Sequence, residues 1–194
     1  LDVLDHLRSE GFNRLSIGVQ DFNKEVQKLV NREQDEEFII AMVQRAKELG
    51  FRSTNLDLIY GLPKQTQALF AETLKQVLEM KPGRLSVFNY AHMPQLFAAQ
   101  RKIKDEDLPE AKEKMAILQD TIETLTGAGY QFIGMDHFAL PEDELAVAQR
   151  EGILHRNFQG YTTQGEADLI GFGVSAISMV GDAYAQNQKE LKKY

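Results

Sequence analysis

Three polar side chains stand where apolar runs stop or are interrupted. Gln20 closes Ser16-Ile-Gly-Val-Gln20, Asp57 interrupts Asn55-Leu-Asp-Leu-Ile-Tyr60, and His92 follows Phe88-Asn-Tyr-Ala91. A carboxylate inside an apolar strand is costly to bury, so Asp57 needs a hydrogen-bond donor or a ligand. Alternation along a strand puts Asp57, Ile59 and Gly61 on one face and Leu58, Tyr60 and Leu62 on the other. The Gln20 amide can both donate and accept, which suits a carboxylate or a ribose; it could equally cap the next helix together with Asp21. Arg32, in Asn31-Arg32-Glu33, could form a bidentate pair with a carboxylate or phosphate, or be an ordinary surface arginine.

Other constellations are weaker. Gly61-Leu-Pro-Lys-Gln-Thr66 lacks the spacing of a phosphate-binding loop. His6, His92, His137 and His155 show no metal-ligand spacing, and His92 and His137 read first as structural. No serine sits in a nucleophile elbow. Arg101-Lys-Ile-Lys104 is a small basic cluster beside Asp105-Glu-Asp107, either a solvated loop or a local aid to an anionic substrate. No catalytic residue and no metal ligand can be named from the pattern.

These side chains must be positioned by a repeating helix–Gly–strand unit. Helices are expected at 1–10, 36–49, 68–80 and 110–126, each closed by glycine, with strands at 14–20, 55–62, 84–90 and 130–135. A helix-like stretch after Phe22 is expected to run through Asn31-Arg32-Glu33. Short apolar strands alternating with helices of this length imply βαβ units and a parallel sheet, with the βα loops gathered on one edge. The fold class is therefore α/β, and three or four strands cannot close an eight-stranded barrel, which leaves sheet edges open. Residues 142–149 read as a helix, 156–163 as irregular, and 183–194 as a further helix.

Composition narrows the class. The 194 residues carry a formal charge of −7, which argues against a nucleic-acid surface, and contain no cysteine, so no disulfide, thiol nucleophile or thiolate-held metal lies within them. No apolar run approaches the ~20 residues of a membrane span, and a cytoplasmic location is expected. Because Leu1 opens a helix already in progress, the chain is expected to be a piece of a longer protein.

Taken together, the motifs resemble those of the oxygen-independent coproporphyrinogen III oxidases of the radical S-adenosylmethionine superfamily. Ser16–Phe22, Leu58–Thr66 and Gly171–Ser178 resemble segments shared with haem chaperones of that superfamily. Phe88–Pro94, Phe97–Lys102 and Leu154–Thr163 resemble the oxidases themselves. The resemblance implies an incomplete, TIM-like βα barrel, with its later units at 1–180 and the start of a helical C-terminal region at 181–194. It implies a [4Fe-4S] cluster on a Cys-x-x-x-Cys-x-x-Cys loop upstream of Leu1, and two molecules of S-adenosylmethionine. On matching positions, Gln20, Arg32 and Asp57 would contact the second molecule, and Ala91 and Ile177 the cluster-bound one. The implied reaction uses a 5′-deoxyadenosyl radical to take hydrogen from two propionates of coproporphyrinogen III, which lose carbon dioxide and become the vinyl groups of protoporphyrinogen IX. The implied partners are coproporphyrinogen III and an electron donor or acceptor, with no nucleic acid and no membrane, in a full-length monomer. The chain by itself is expected to assemble no cluster and to be inactive. The rival readings are a haem-binding chaperone and a non-catalytic βα scaffold.

Overall fold

In β1 (Arg14–Gln20) and β2 (Ser53–Tyr60) burial follows the side-chain alternation. Ile17, Val19, Leu56, Leu58 and Tyr60 are buried, whereas Ser16, Gly18, Asn55, Asp57 and Ile59 point to the other, more open face. The computed structural model describes residues 1–158 and 160–194, which form two units, Leu1–Val147 and Ala148–Tyr194.

In the first unit, β1, β2 and β3 (Arg84–Asn89) are parallel and adjacent in chain order. After α1 (Asp2–Ser9), the links between these strands carry α2 (Lys24–Leu29) and α3 (Glu36–Glu48), then α4 (Gln67–Met80). α5 (Ala111–Gly127) follows β3. Strands laid down in sequence with crossovers of one hand put their helices on one side. Ile39 and Val43 of α3, Phe70, Leu74 and Val77 of α4, and Ile117 and Leu125 of α5 accordingly join the buried strand residues in one core. Asn23, Asp35 and Thr66 cap α2, α3 and α4 through their side-chain oxygens, which fixes where each βα loop ends. The arrangement is an arc of βα barrel wall, and its open face carries the polar residues.

The sheet departs from an all-parallel one after β3. β4 (Gln131–Gly134) and β5 (His137–Ala139) form a hairpin, and β5 lies antiparallel between β3 and β4. The cause is local: Gly134 and Met135 both take positive φ, 135° and 50°, and turn the chain back within two residues. The stretch expected to be helical through Glu33 also stops early. α2 ends at Leu29, and Asn31 adopts φ 53°, a left-handed conformation that asparagine tolerates.

α6 (Glu144–Glu151) corresponds to the helix expected at 142–149. In the second unit, β6 (His155–Asn157) pairs with β7 (Gly160–Thr162), so the stretch expected to be irregular is a hairpin; Gln159 of the Leu154–Thr163 motif lies outside the described residues. The helix expected at 183–194 is not formed. β8 (Ile177–Val180) and β9 (Ala183–Gln186) pair across Gly181-Asp182, followed by a short 3-10 turn at Leu191–Lys193. A two-residue Gly-Asp link is a hairpin signal, and here it overrides the helix-favouring composition that follows it.

At the N-terminal end of the parallel strands, charged residues tie the sheet to the start of α6. Arg84 Nε donates to both oxygens of buried Asp143 at 2.8 and 2.9 Å, and Ser53 Oγ donates to the same carboxylate at 3.0 Å. Arg14 grips Glu144 at both oxygens (2.7 and 2.6 Å), and Arg84 Nη2 reaches Glu144 at 2.8 Å. Arg14, Ser53 and Arg84 are the first residues of β1, β2 and β3, so two adjacent carboxylates clamp three strands. Burial pushes the Glu144 carboxyl up, but its bonds and charges from Arg14 and Arg84 outweigh that and hold it below its ordinary value of 4.5. A group lowered in this way adds stability that is complete above the ordinary value and lost as pH falls through the folded one. In urea titrations at a series of acidic pH values, Glu144→Gln is therefore expected to flatten the fall of the midpoint below pH 4.5. Asp143→Ala, which leaves the largely buried Arg84 with Glu144 as its remaining carboxylate partner and removes the acceptor of Ser53, is expected to cost about 1.5–3 kcal/mol at neutral pH.

Candidate functional site

At the C-terminal end of β1 the missing side chain of Gly18 makes room for two nitrogen donors. A Cβ there would lie 2.7 Å from Gln20 Nε2 and 2.8 Å from Arg32 Nη2. Gln20 reaches this place through a left-handed backbone (φ 70°), uncommon for a residue with a side chain. Arg32 reaches it because the chain reverses at Asn31; its Nη2 donates to the Gly18 carbonyl at 3.1 Å. Gln34 Nε2 donates to the same carbonyl at 2.9 Å, so that oxygen keeps a partner when the guanidinium moves to a ligand. Gln20 and Arg32 line a cavity of ≈ 270 Å³ together with Ile59, Tyr90, Gln100 and Ile103. A guanidinium and an amide N–H converging over one point suit a carboxylate, and among the described residues Arg32 makes no ion pair. The apolar Ile59 and Ile103 suit a ligand that is not polar throughout.

Asp57 shares the open face but is not part of that cavity's lining. It pairs in register with Gly18 on one side and Ser86 on the other. Ser16 Oγ donates to Oδ2 at 2.9 Å and Asn55 Nδ2 to Oδ1 at 2.7 Å. Ser86 Oγ in turn donates to Asn55 Oδ1 at 3.1 Å, which completes a hydrogen-bonded row across three strands. The half-buried carboxylate thus has the donors its position demanded, both of them neutral.

Ala91 begins the segment that leaves β3, and its carbonyl accepts from Gln100 Nε2 at 3.0 Å, which links it to the cavity wall. His92 is structural in its contacts: Nδ1 meets Tyr90 Oη at 3.0 Å and Nε2 lies 3.2 Å from the exposed Asp105. Ile177 opens β8 in the second unit, and its carbonyl crowds Gly171, where a Cβ would lie 2.6 Å away. Asn187 Nδ2 donates to the Gly171 and Gly173 carbonyls at 3.3 and 2.9 Å, which holds the Gly171–Ser178 loop together. Lys64 is not available as a phosphate-loop lysine, because it pairs with Asp107 at 2.6 Å. No cluster of three metal-binding side chains occurs among the described residues.

Sequence reasoning missed the group that fixes the loops. Asp21 does not cap α2; Asn23 does. Asp21 is instead fully buried, accepting from Asn23 N–H at 2.6 Å, Thr73 Oγ1 at 2.8 Å and, through a short bond, Gln65 Nε2. Gln65 also accepts from Leu62 N–H (2.9 Å) and donates to the Ile59 carbonyl (2.9 Å), while Gln27 donates to the Asp21 carbonyl at 2.8 Å. Burial pushes the Asp21 carboxyl up, against the downward pull of the donors from Asn23, Gln65 and Thr73. The signal in the sequence was present, since Asp21, Gln65 and Thr73 are polar at positions an amphipathic pattern makes internal, but only the fold brings them together. Both carboxylate oxygens face donors, so Asp21→Asn would set an amide N–H against Gln65 and is expected to cost about 2–4 kcal/mol. Thr73→Val, which removes one donor to the carboxylate and the acceptor of Phe22 N–H, is expected to cost about 1.5–3 kcal/mol in the same urea titration.

Residues 1–77 match the family model described as the radical SAM superfamily. The oxygen-independent coproporphyrinogen III oxidase of Salmonella typhimurium is 77% identical over all 194 residues, and that of Pseudomonas aeruginosa 58% identical over 188 residues. The solved coproporphyrinogen III oxidase of Escherichia coli, described as a radical SAM enzyme, superposes with a TM-score of 0.96 at 76% identity; the match covers 100% of this chain and 44% of that one. The chain spans 42% of the length of the Salmonella relative and 41% of the Pseudomonas one. Residues 1–77 are thus similar to the radical SAM superfamily, and the whole length of the chain is similar to part of the oxygen-independent coproporphyrinogen III oxidases.

Proposed function

We propose that this chain forms a section of barrel wall in an enzyme that oxidatively decarboxylates two propionates of coproporphyrinogen III to vinyl groups, giving protoporphyrinogen IX. The observation that carries the reading is the 77% identity running through all 194 residues to an oxidase of that name. When bound, S-adenosylmethionine beside a [4Fe-4S] cluster supplies the one-electron hydrogen abstraction that opens the way to loss of carbon dioxide. With no cysteine in the chain, the cluster's thiolates would come from outside these residues.

The residues of the open face do the binding. The space over Gly18 fits a methionine carboxylate, held by Arg32 and oriented by the Gln20 amide. Asp57 faces the amino group or the ribose hydroxyls of the same molecule and gives up part of its bond to Asn55 or Ser16 in exchange. The Ala91 backbone packs against the adenine of the other molecule, the one on the cluster. The protein's part is to orient and shield while the cofactor performs the difficult chemistry. An electron acceptor and a monomeric state belong to the same reading, as does a cytoplasmic setting; no helix among the described residues is long and apolar enough to cross a membrane.

The test uses a polypeptide of the relatives' full length, reconstituted anaerobically. Coproporphyrinogen III is expected to yield divinyl product with release of carbon dioxide, and haem titration to show no stoichiometric binding. Tight haem binding without decarboxylation would establish the chaperone reading instead. Arg32→Ala is expected to weaken S-adenosylmethionine binding about 10- to 100-fold, the worth of a charged hydrogen-bond pair. Asp57→Ala is expected to weaken it about tenfold with the fold intact; wild-type turnover in both variants would sink the site assignment. The 194-residue chain alone, given iron and sulfide, is expected to hold no stoichiometric cluster.

A further inference from the structure

The two segments that resemble the oxidases in the first unit, Phe88–Pro94 and Phe97–Lys102, are tied together by Gln100, beside a backbone bond from Phe97 N–H to the Met93 carbonyl (3.0 Å) and a longer one from Arg101 Nε to the Pro94 carbonyl (3.3 Å). The last strand-like bond before the chain leaves the sheet runs from Tyr90 N–H to the Tyr60 carbonyl at 2.8 Å. Beyond it the backbone of Ala91 to Met93 has left the ladder, and its polar groups need other partners. Gln100 supplies two. Its Oε1 accepts from Met93 N–H at 2.5 Å, and its Nε2 donates to the Ala91 carbonyl at 3.0 Å. The side-chain amide stands in for the peptide group of a neighbouring strand, offering an acceptor and a donor to residues two apart. Gln100 is itself fixed in the 3-10 turn Ala98–Lys102, with its N–H on the Phe97 carbonyl at 3.0 Å. It also lines the cavity that holds Gln20 and Arg32.

We infer that Gln100 is a positioning residue, which sets the Ala91–Met93 backbone at the cofactor pocket by clamping it at two points. The inference rests on the S-adenosylmethionine reading proposed above. The amide's bonds run to Met93 N–H and to the Ala91 carbonyl, and it is through that backbone that Gln100 acts. The geometry is selective for glutamine. Glutamate keeps an acceptor for Met93 N–H but turns a second oxygen on the Ala91 carbonyl. Asparagine is a methylene too short, and alanine leaves both backbone groups unpaired.

The test compares wild type, Gln100→Ala and Gln100→Glu in a polypeptide of the relatives' full length with its cluster. Two quantities are read: hydrogen exchange in peptides that contain Met93, and the dissociation constant of S-adenosylmethionine. Gln100→Ala is expected to speed exchange at Met93 and to weaken binding about tenfold. Gln100→Glu is expected to keep protection at Met93 yet weaken binding to a similar degree, a split that general destabilisation would not produce. Unchanged Met93 exchange in Gln100→Ala, or wild-type affinity in both variants, overturns the inference. Arg32→Ala is measured alongside. If it weakens binding and the Gln100 variants do not, only the positioning role falls. If neither Arg32→Ala nor the Gln100 variants weaken binding, the cofactor reading fails and the positioning role goes with it.

Discussion

Asp21 is fully buried, makes no ion pair among the described residues and accepts three hydrogen bonds from neutral donors. A carboxylate in that position is tolerated only while every donor stays in place, because each bond to a charged group is worth about 1.5–3 kcal/mol and an unpaired buried charge costs far more. The donors come from the loop after β1, the loop after β2 and the helix α4. Those three pieces cannot separate without exposing or stranding the charge, so they are held as one body. Gln20, in its left-handed conformation, is the chain neighbour of Asp21, and Ile59 and Leu62 are tied in through Gln65. The wall of the candidate site is therefore set from behind, by a group that faces no ligand.

The two ends of the parallel strands are managed differently. At the N-terminal end, charge meets opposite charge: Arg14 and Arg84 are paired with Glu144 and Asp143, and Asp143 is saturated with donors. Those charges satisfy one another, as expected where a barrel wall invests in stability. At the C-terminal end Arg32 leans on a single backbone carbonyl and Gly18 leaves space beside it. Satisfied polar groups at one end and under-used ones at the other give the sheet a direction before any ligand is considered.

How much of this was legible in the sequence depends on the range of the interaction that decides each element. The bounds of β1 and α4 follow from alternation and 3.6-residue periodicity, and they fall within one residue of expectation. The β4–β5 and β8–β9 hairpins were lost because a few residues with positive φ outweighed the composition around them, and short windows weigh composition more. The open-face placement of Asp57 was readable from alternation alone. The convergence of Gln20 and Arg32 was not, since it needs both the reversal at Asn31 and the absence of a side chain at Gly18. Asp21 was hardest, as its partners Gln65 and Thr73 lie 44 and 52 residues away.

One consequence of the open face bears on which ligand it takes. Arg32 is a cation without an acidic partner and Asp57 an anion without a basic one, among the described residues, and Asp57 is the register partner of the glycine over which Arg32 lies. Had the two paired with each other, the face would be electrically self-satisfied and a ligand would have to break an ion pair to enter. Kept apart, each by neutral hydrogen bonds, they present one charge of each sign within a short span of sheet. A simple anion would use only half of this, and the carboxylate beside it would oppose binding. An amino-acid zwitterion uses both halves, its carboxylate toward Arg32 and its ammonium toward Asp57. On the reading proposed above, the methionine part of S-adenosylmethionine is such a group, and the separation of charge on this face is what would tell it from a phosphate or a free carboxylate.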